Sequence, residues 1–295
     1  MYQLKIGNWT VNCSPEKIVL SKEHENQCGT IINNWAEHFP REQTWVQNKF
    51  GIPTLMARID FCIKDDGEIG LYEIEDEPAG IGISRAINSQ FLQIHQSLLK
   101  VWPYFEVIIS SNWKGNDDML WRKIIELSSW KSPQLVWVKA HPIERESHVL
   151  EEYSVTTLKL KGVKSYGVGM GLWDKVFSSD FESLSWNEGF VLKPLQGCRS
   201  QKIEIWNPNS GKLAGQSTKS QIKKTLEEQK EMYLQKLMIP GRRKNIPGYI
   251  LYRCYRGYDT VSRKWLSLGG VWVARENLRI HGASDSLIGA IELEL

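Results

Sequence analysis

Arg58, Asp60, Glu73 and Glu75 stand two apart in two pairs on either side of Asp66-Gly67. Asp-Gly between apolar-rich runs predicts a two-residue type I′ hairpin turn, whose central residues both need positive φ. With the turn there, Asp60 faces Glu73 and Arg58 faces Glu75. Side chains alternate along a strand, so one face carries Ile59, Phe61, Ile63, Tyr72 and Ile74, a core face. The other gathers three carboxylates and one arginine. Like charges opposite one another destabilise a sheet, and a cation among them would relieve that repulsion. An oxygen-only donor set suits Mg²⁺ or Mn²⁺, hard ions that commonly also hold phosphates. Arg58 can neutralise one carboxylate or grip a phosphate bidentately. The plainer alternative is a solvated outer face on which Arg58 and Glu75 form a surface pair of little energetic weight.

Further candidates lie downstream. Phe190-Val-Leu-Lys-Pro194 reads as a strand with Lys193 just before proline, followed by Leu-Gln-Gly197-Cys198-Arg199-Ser200 and a second short strand, Lys202 to Trp206. Such a hairpin can fold over phosphates with backbone N–H groups and cationic side chains; it can equally be a basic surface hairpin. Gly162, Gly167, Gly169 and Gly171 surround Lys164 without matching a Walker or dinucleotide fingerprint. Arg275-Glu-Asn277 ends an apolar strand, where functional residues often sit. His281, in a turn, reads as structural, as do His24 and His38.

The elements that must position these residues follow from periodicity. Strands are expected at Lys5 to Val11, Ile18 to Leu20, Tyr249 to Tyr255, Gly269 to Ala274 and Leu287 to Leu295. Helices are expected at Thr30 to His38, Ser84 to Leu99, the segment Leu172 to Phe177, and Thr218 to Leu237. The last opens on the capping box Thr218-x-x-Gln221, with Ile222, Leu226, Tyr233 and Leu237 on one stripe. Its other side, with Arg242, Arg243 and Lys244, is the most basic region and reads first as a solvated face. Residues 100–162 show mainly apolar strands, Phe105 to Ser110 and Leu135 to Lys139, around a helix capped by Asp117 or Asp118, the pattern of a small parallel α/β unit.

A chain of 295 residues allows one large or two small domains. A net charge of +3 is too small to make nucleic acid or membrane the main partner. Thirteen tryptophans spread over the whole length fit core packing better than a binding platform. Five cysteines without a C-x-x-C pair fit a reduced, cytoplasmic protein. No apolar run reaches the ~18 residues of a membrane span, and no signal pattern opens the chain.

Taken together, these segments resemble the ATP-grasp ligases, and among them the synthetase domain of glutathionylspermidine synthase. Arg58-Ile-Asp60 with Glu73-Ile-Glu75 is similar to the family's Arg-x-Asp and Glu-x-Asn pair. Lys193-Pro-Leu-Gln-Gly197-Cys-Arg-Ser is similar to its Lys-Pro-x-x-Gly-Arg-x-Gly loop. The metal motif preceding the nucleotide lysine is that branch's order. Gly269-Gly-Val-Trp-Val-Ala-Arg275-Glu resembles its Gly-Gly strand leading to a functional arginine, and Tyr249-Ile-Leu-Tyr-Arg-Cys254 falls where its adenine hinge strand would be. These four islands cover about a third of the chain. Glu75 stands in place of the family's Asn, Arg199 comes one position late, and no amidase domain is expected within these 295 residues.

What the resemblance implies is an α/β (α+β) ATP-grasp-type fold in three parts. Residues 1–99 would hold the metal hairpin, 100–162 the inserted α/β unit, and 163–295 the nucleotide lid and last strands. It implies a C–N ligase that activates a carboxylate with ATP to an acyl-phosphate for attack by an amine, each substrate a small molecule or part of a peptide or protein. Asp60, Glu73 and Glu75 would hold Mg²⁺ (or Mn²⁺). Arg58, Arg199 and Arg275 would act on the transferring group. ATP would be held by Arg58, Lys164 (or Lys175), Lys193, Gly197, Cys198, Arg199, Ser200, Leu251, Tyr252 and Arg253. Two rivals remain at this point: a metal-dependent nuclease, in which Glu75 stands where a lysine is usual, and a non-catalytic ATP-binding interaction protein.

Overall fold

Two antiparallel-rich sheets carry the described part of the molecule. The computed structural model describes residues 1–6, 9–38, 51–52, 55–75, 80–101, 174–194, 202–208, 214–280 and 285–294. The expected 100–162 unit lies almost wholly outside these residues, as do Lys164 and the loop Gly197, Cys198, Arg199 and Ser200. In the larger sheet β1 (Tyr2–Ile6), β2 (Trp9–Cys13), β12 (Leu287–Leu293), β11 (Lys264–Arg275), β10 (Tyr249–Asp259), β4 (Met56–Ile63) and β5 (Ile69–Glu75) lie in that order. A short β3 (Ile18–Leu20) also pairs with β12. The pairs β12–β2 and β12–β3 are parallel and the others antiparallel. The smaller sheet runs β6 (Asp174–Phe177), β9 (Glu231–Lys236), β7 (Phe190–Pro194), β8 (Glu204–Trp206), all antiparallel. The fold class is therefore mixed α/β, and the first hundred residues share one sheet with the last fifty.

Both faces of the larger sheet are covered. Ile59, Phe61, Ile74, Ile250, Tyr252 and Cys254 pack on one side with Cys28, Ile32 and Trp35 of α1 (Lys22–His38). That helix starts eight residues before the expected one. Ser21 sets its beginning by accepting from the His24 N–H at 3.3 Å, with Glu23 and Glu25 at the electropositive first turn. On the other side Leu251, Val271, Val273 and Ile288 pack with Val11 and with Ile83 of α2 (Ile81–Ile87), and Phe91 of α3 (Ser89–Val101) meets Tyr255 edge to face.

The single helix expected over 84–99 is interrupted at Asn88, whose backbone is extended. Asn88 Oδ1 accepts from the Phe91 N–H at 3.0 Å, and Nδ2 donates to the carbonyls of Gly270 and Ile291 at 3.0 and 2.6 Å. It fastens the helix pair to the sheet beside the irregularity in β11, where Gly269 takes φ +72°.

In the smaller sheet, Val176, Phe190, Leu192 and Met232 pack with Ile222 and Leu226 of α4 (Lys219–Gln229). Both arms of the Thr218–Gln221 capping box form. The helix expected to reach Leu237 ends at Gln229, because Lys230 turns the chain at φ +64°. Glu231 onward is β9, so Tyr233 lies on a strand and its apolar spacing is that of a sheet. Residues 174–177, expected as helix, are strand β6 for the same reason: Lys175 and Phe177 pair with Tyr233 and Glu231. The first expected strand, 5–11, is instead the pair β1 and β2.

Candidate functional site

The hairpin of β4 and β5 reaches the expected pairing by another route. Asp66 is absent from the residues of positive φ and only Gly67 has it, at +86°, which rules out the type I′ turn. The loop has three residues, Asp65 to Gly67, closed by Lys64 N–H to the Glu68 carbonyl and Gly67 N–H to the Lys64 carbonyl, both 2.9 Å. That turn puts Ile63 opposite Ile69 and Phe61 opposite Leu71, one residue off the expected register. A β-bulge between Asp60 and Phe61 then restores it, so Asp60 faces Glu73 and Arg58 faces Glu75. The extra residue is Tyr72. It leaves the expected core face and packs instead with the Leu251 and Val273 cluster on the opposite side, where its hydroxyl donates to the Met238 carbonyl at 2.9 Å.

Half of the charged face is interior, so Arg58 and Glu75 are not an exposed surface pair: Arg58 and Asp60 are each 2% exposed, while Glu73 and Glu75 are half-buried. Arg58 donates Nε to Asp60 Oδ1 at 2.6 Å and Nη2 to Asp60 Oδ2 at 2.9 Å, and its Nη2 also lies 2.6 Å from Glu75 Oε1. Arg253, opposite Asp60 on β10, brings its Nε to 3.4 Å from Asp60 Oδ2. One oxygen from each of Asp60, Glu73 and Glu75 lies within 4.8 Å of the others. Two oxygens bound to one divalent ion at about 2.1–2.4 Å can stand no more than about 4.2–4.8 Å apart, so the set fits a hard divalent cation.

The electrostatics reflect this crowding. Burial opposes the charge on Arg58, but Asp60 and Glu75 more than offset it and hold its pKa well above the ordinary value. Burial raises the pKa of Glu75; Arg58 pulls it down, while Asp60 and Glu73 push it further up.

The smaller sheet supplies the last cation. Lys193, at the end of β7 and 6% exposed, donates Nζ to the Tyr72 carbonyl at 2.7 Å and stands 4.0 Å from Glu73 Oε2. Gln235 of β9 donates to the neighbouring Leu71 carbonyl at 2.7 Å. The two sheets thus meet at the bulge. Arg58, Asp60, Glu73, Glu75, Arg253 and Lys193 come together there.

Other expected site residues sit elsewhere. Arg275 is about 13 Å along β11 from the residue opposite Arg253, with Nε and Nη2 both 2.8 Å from Asp285 Oδ2 and Nη1 donating to the Arg279 carbonyl at 2.8 Å. The strand expected as an adenine hinge is the middle of the larger sheet: Tyr252 to Gly257 pair with both β11 and β4, which commits their backbone groups. Leu251 is in the core and Tyr252 stacks on Phe61, on the face away from the cluster. Arg253 and Gln235 were not read from the sequence as neighbours of the carboxylates. The alternation Leu251, Arg253, Tyr255 was the available signal for the first; nothing local marked the second.

No family model matches the chain, and no curated protein does. Among solved structures, one with some likeness is a Methylobacillus flagellatus KT protein provisionally described as a gamma-glutamylcysteine synthetase. It is 10% identical with a TM-score of 0.40, covering 88% of this chain and 84% of that one. A likeness that low assigns neither fold family nor activity. No helix among the described residues is long and apolar enough to cross a membrane.

Proposed function

We propose that the protein is an ATP-dependent carboxylate–amine ligase of ATP-grasp type, working through an acyl-phosphate. One observation carries the reading: three carboxylates spaced for a divalent ion meet a buried bidentate arginine and a lysine delivered from a second sheet. The order and spacing of the motifs in the sequence support it. In phosphoryl transfer a protein mostly positions groups and offsets charge, and this cluster is equipped for both.

On this reading Asp60, Glu73 and Glu75 hold the metal ion, which when bound offsets charge on the β- and γ-phosphates. Arg58, within reach of Asp60 and Glu75, presents its planar fork to the transferring phosphoryl group. Lys193 holds a second phosphate and Arg253 keeps Asp60 oriented. Gly197, Cys198, Arg199 and Ser200 bind the phosphates, and Lys164 is the first nucleotide lysine. The acid and amine are small molecules or groups on a peptide or protein, and the site of action is the cytoplasm.

The test is binding of ATP by calorimetry together with Mg²⁺-dependent ADP release across a panel of carboxylates. The expected outcome is nucleotide binding that Asp60→Asn and Lys193→Ala each weaken, by roughly tenfold or more for a lost charge-assisted contact. Unchanged binding and turnover in both variants would sink the assignment. Nicking of plasmid with Mg²⁺ in place of ADP release would favour a nuclease, and ATP binding without consumption a binding protein.

A further inference from the structure

The tip of the β4–β5 hairpin has two ways to close. The observed one has the three-residue loop Asp65 to Gly67 and the bulge at Tyr72. The other is the two-residue type I′ turn that Asp66-Gly67 favours. It would pair Phe61 with Tyr72, Cys62 with Leu71 and Ile63 with Gly70, with no bulge. Both put Asp60 opposite Glu73 and Arg58 opposite Glu75, so they differ only between the bulge and the turn.

The apolar pattern is compatible with either. A slip of one residue exchanges the faces of the slipped segment. As observed, Ile69 and Leu71 lie against the α1 core, and Tyr72 lies with Leu251 and Val273 on the other side. In the regular register Tyr72 would take the core position beside Phe61, and Ile69 and Leu71 would cross over.

What separates the two registers is the chain docked on the hairpin. Lys193 Nζ and Gln235 Nε2 donate to the carbonyls of Tyr72 and Leu71, both at 2.7 Å. Consecutive carbonyls of a regular strand point to opposite edges, so one neighbour takes both only where a bulge breaks the alternation. The Tyr72 hydroxyl donates to the Met238 carbonyl at 2.9 Å, a bond lost if Tyr72 turns to the core. Steric fit points the same way. A Cβ on Gly70, the residue opposite Cys62, would stand 2.8 Å from both Cys62 Sγ and Met238 Sδ. The regular register would put Leu71 opposite Cys62, and a leucine has no room there while Met238 stays in place.

We infer that the hairpin tip is a two-register element, and that the chain from β9 to Met238 selects the bulged register by docking on it. With that chain withdrawn, the Asp66-Gly67 turn takes over, Tyr72 turns to the core, and the carbonyls that hold Lys193 and Gln235 turn away. The carboxylate pairs stay as they are. Two discrete packings of one segment are what passes a local change on, and the link is reciprocal: whatever favours the bulge favours docking by the same factor. The registers need no ligand, whereas their consequence for binding rests on the metal–nucleotide reading, in which only the bulged form holds Lys193 beside Glu73.

The experiment reads the register by NMR on the full chain, with saturation transfer to detect a minor form. Cross-strand contacts of Cys62 with Gly70 mark the bulged form, and contacts of Cys62 with Leu71 the regular one. Two substitutions at exposed loop positions push the balance either way. Asp66→Asn creates the dipeptide with the strongest preference for the type I′ turn. Asp65→Pro suits the type I turn of the three-residue loop but not a paired strand position. Wild type is expected to show the regular form at on the order of 1%. Asp66→Asn and Gln235→Leu should each raise it roughly two- to tenfold, the worth of one hydrogen bond or turn preference, and Asp65→Pro should abolish it. No regular form in wild type or in the double variant Asp66→Asn/Gln235→Leu would overturn the two registers. A regular form that Gln235→Leu does not raise would overturn selection by docking. Saturating Mg²⁺ complex of the non-hydrolysable analogue AMP-PNP should lower the regular fraction of the double variant about tenfold or more. No change with a complex that binds would overturn the link to the site, whereas no binding at all would remove the metal–nucleotide reading and leave the two registers standing.

Discussion

Among the described residues two acidic centres stand out, and they are built on opposite plans. At Glu204 on β8 one carboxylate is surrounded by donors: the Thr225 hydroxyl at 2.6 Å, the Ser217 hydroxyl, and Arg279 Nη2 at 3.3 Å. Arg279 comes from the segment after β11 and also donates to the Gly215 carbonyl at 3.0 Å. The centre therefore ties the smaller sheet to the larger one, with its acceptor oxygens already in use. At Asp60 three carboxylates crowd together across a bulged hairpin. A saturated carboxylate is an architectural fastening. A crowd of them has acceptor capacity to give to something else.

The difference predicts different costs of damage. Asp60 is paired with both Arg58 and Arg253, and Asp60→Ala would leave Arg58 buried with Glu75 as its remaining close carboxylate. Removing one partner of a buried ion pair costs about 3–5 kcal/mol, and a loss of that size is expected in urea unfolding. A loss under about 1 kcal/mol, the range of exposed pairs, would mean that the cluster is solvated and the contrast false.

Glu204→Gln probes the saturated centre. The amide keeps one oxygen but turns an NH₂ toward donors that need an acceptor, so about 1.5–3 kcal/mol should be lost, the usual range for hydrogen bonds to charged groups. Because Glu204 spends its oxygens on Thr225, Ser217 and Arg279 rather than on the groups of the carboxylate cluster, Mn²⁺–AMP-PNP binding per folded molecule should change little. A binding loss as large as that of Lys193→Ala would show that the two centres are one functional unit.

The contrast also explains what the sequence revealed. Asp60 opposite Glu73 was legible although the loop is one residue longer than Asp66-Gly67 implies, because the bulge at Tyr72 takes that residue back. A bulge is stabilised by what docks on it. Here Lys193 and Gln235, more than a hundred positions away, take the carbonyls of Tyr72 and Leu71, so no local pattern could announce it. The Thr218 capping box was legible because its donors and acceptors are three residues apart. The helix end at Gln229 was not, since Lys230 adopts positive φ without being glycine and the following apolar spacing serves either period. Arg253 was misplaced for a related reason. The twelve-residue β11 and the hairpin strand β4 enclose β10 from both sides, and a strand's place in a sheet is a property of its neighbours.

The smallest expected effect has the opposite sign and depends on pH. Glu75 has its pKa raised above the ordinary 4.5, first by burial and further by Asp60 and Glu73, against the pull of Arg58. A carboxyl whose pKa is higher folded than unfolded binds its proton more tightly in the native state. Its contribution to stability is complete below the unfolded value and is lost as pH rises through the folded one. Gln at this position cannot ionise and keeps an oxygen for Arg58. Relative to wild type, Glu75→Gln should therefore gain stability as pH climbs from about 4 to about 8, read as a widening gap between the two urea midpoints. Glu204→Gln is the reference for the saturated centre, measured over the same range. Parallel curves for Glu75→Gln and wild type would show that the carboxylates at the bulge are not crowded enough to hold a proton, and the distinction between the two centres would then rest on geometry alone.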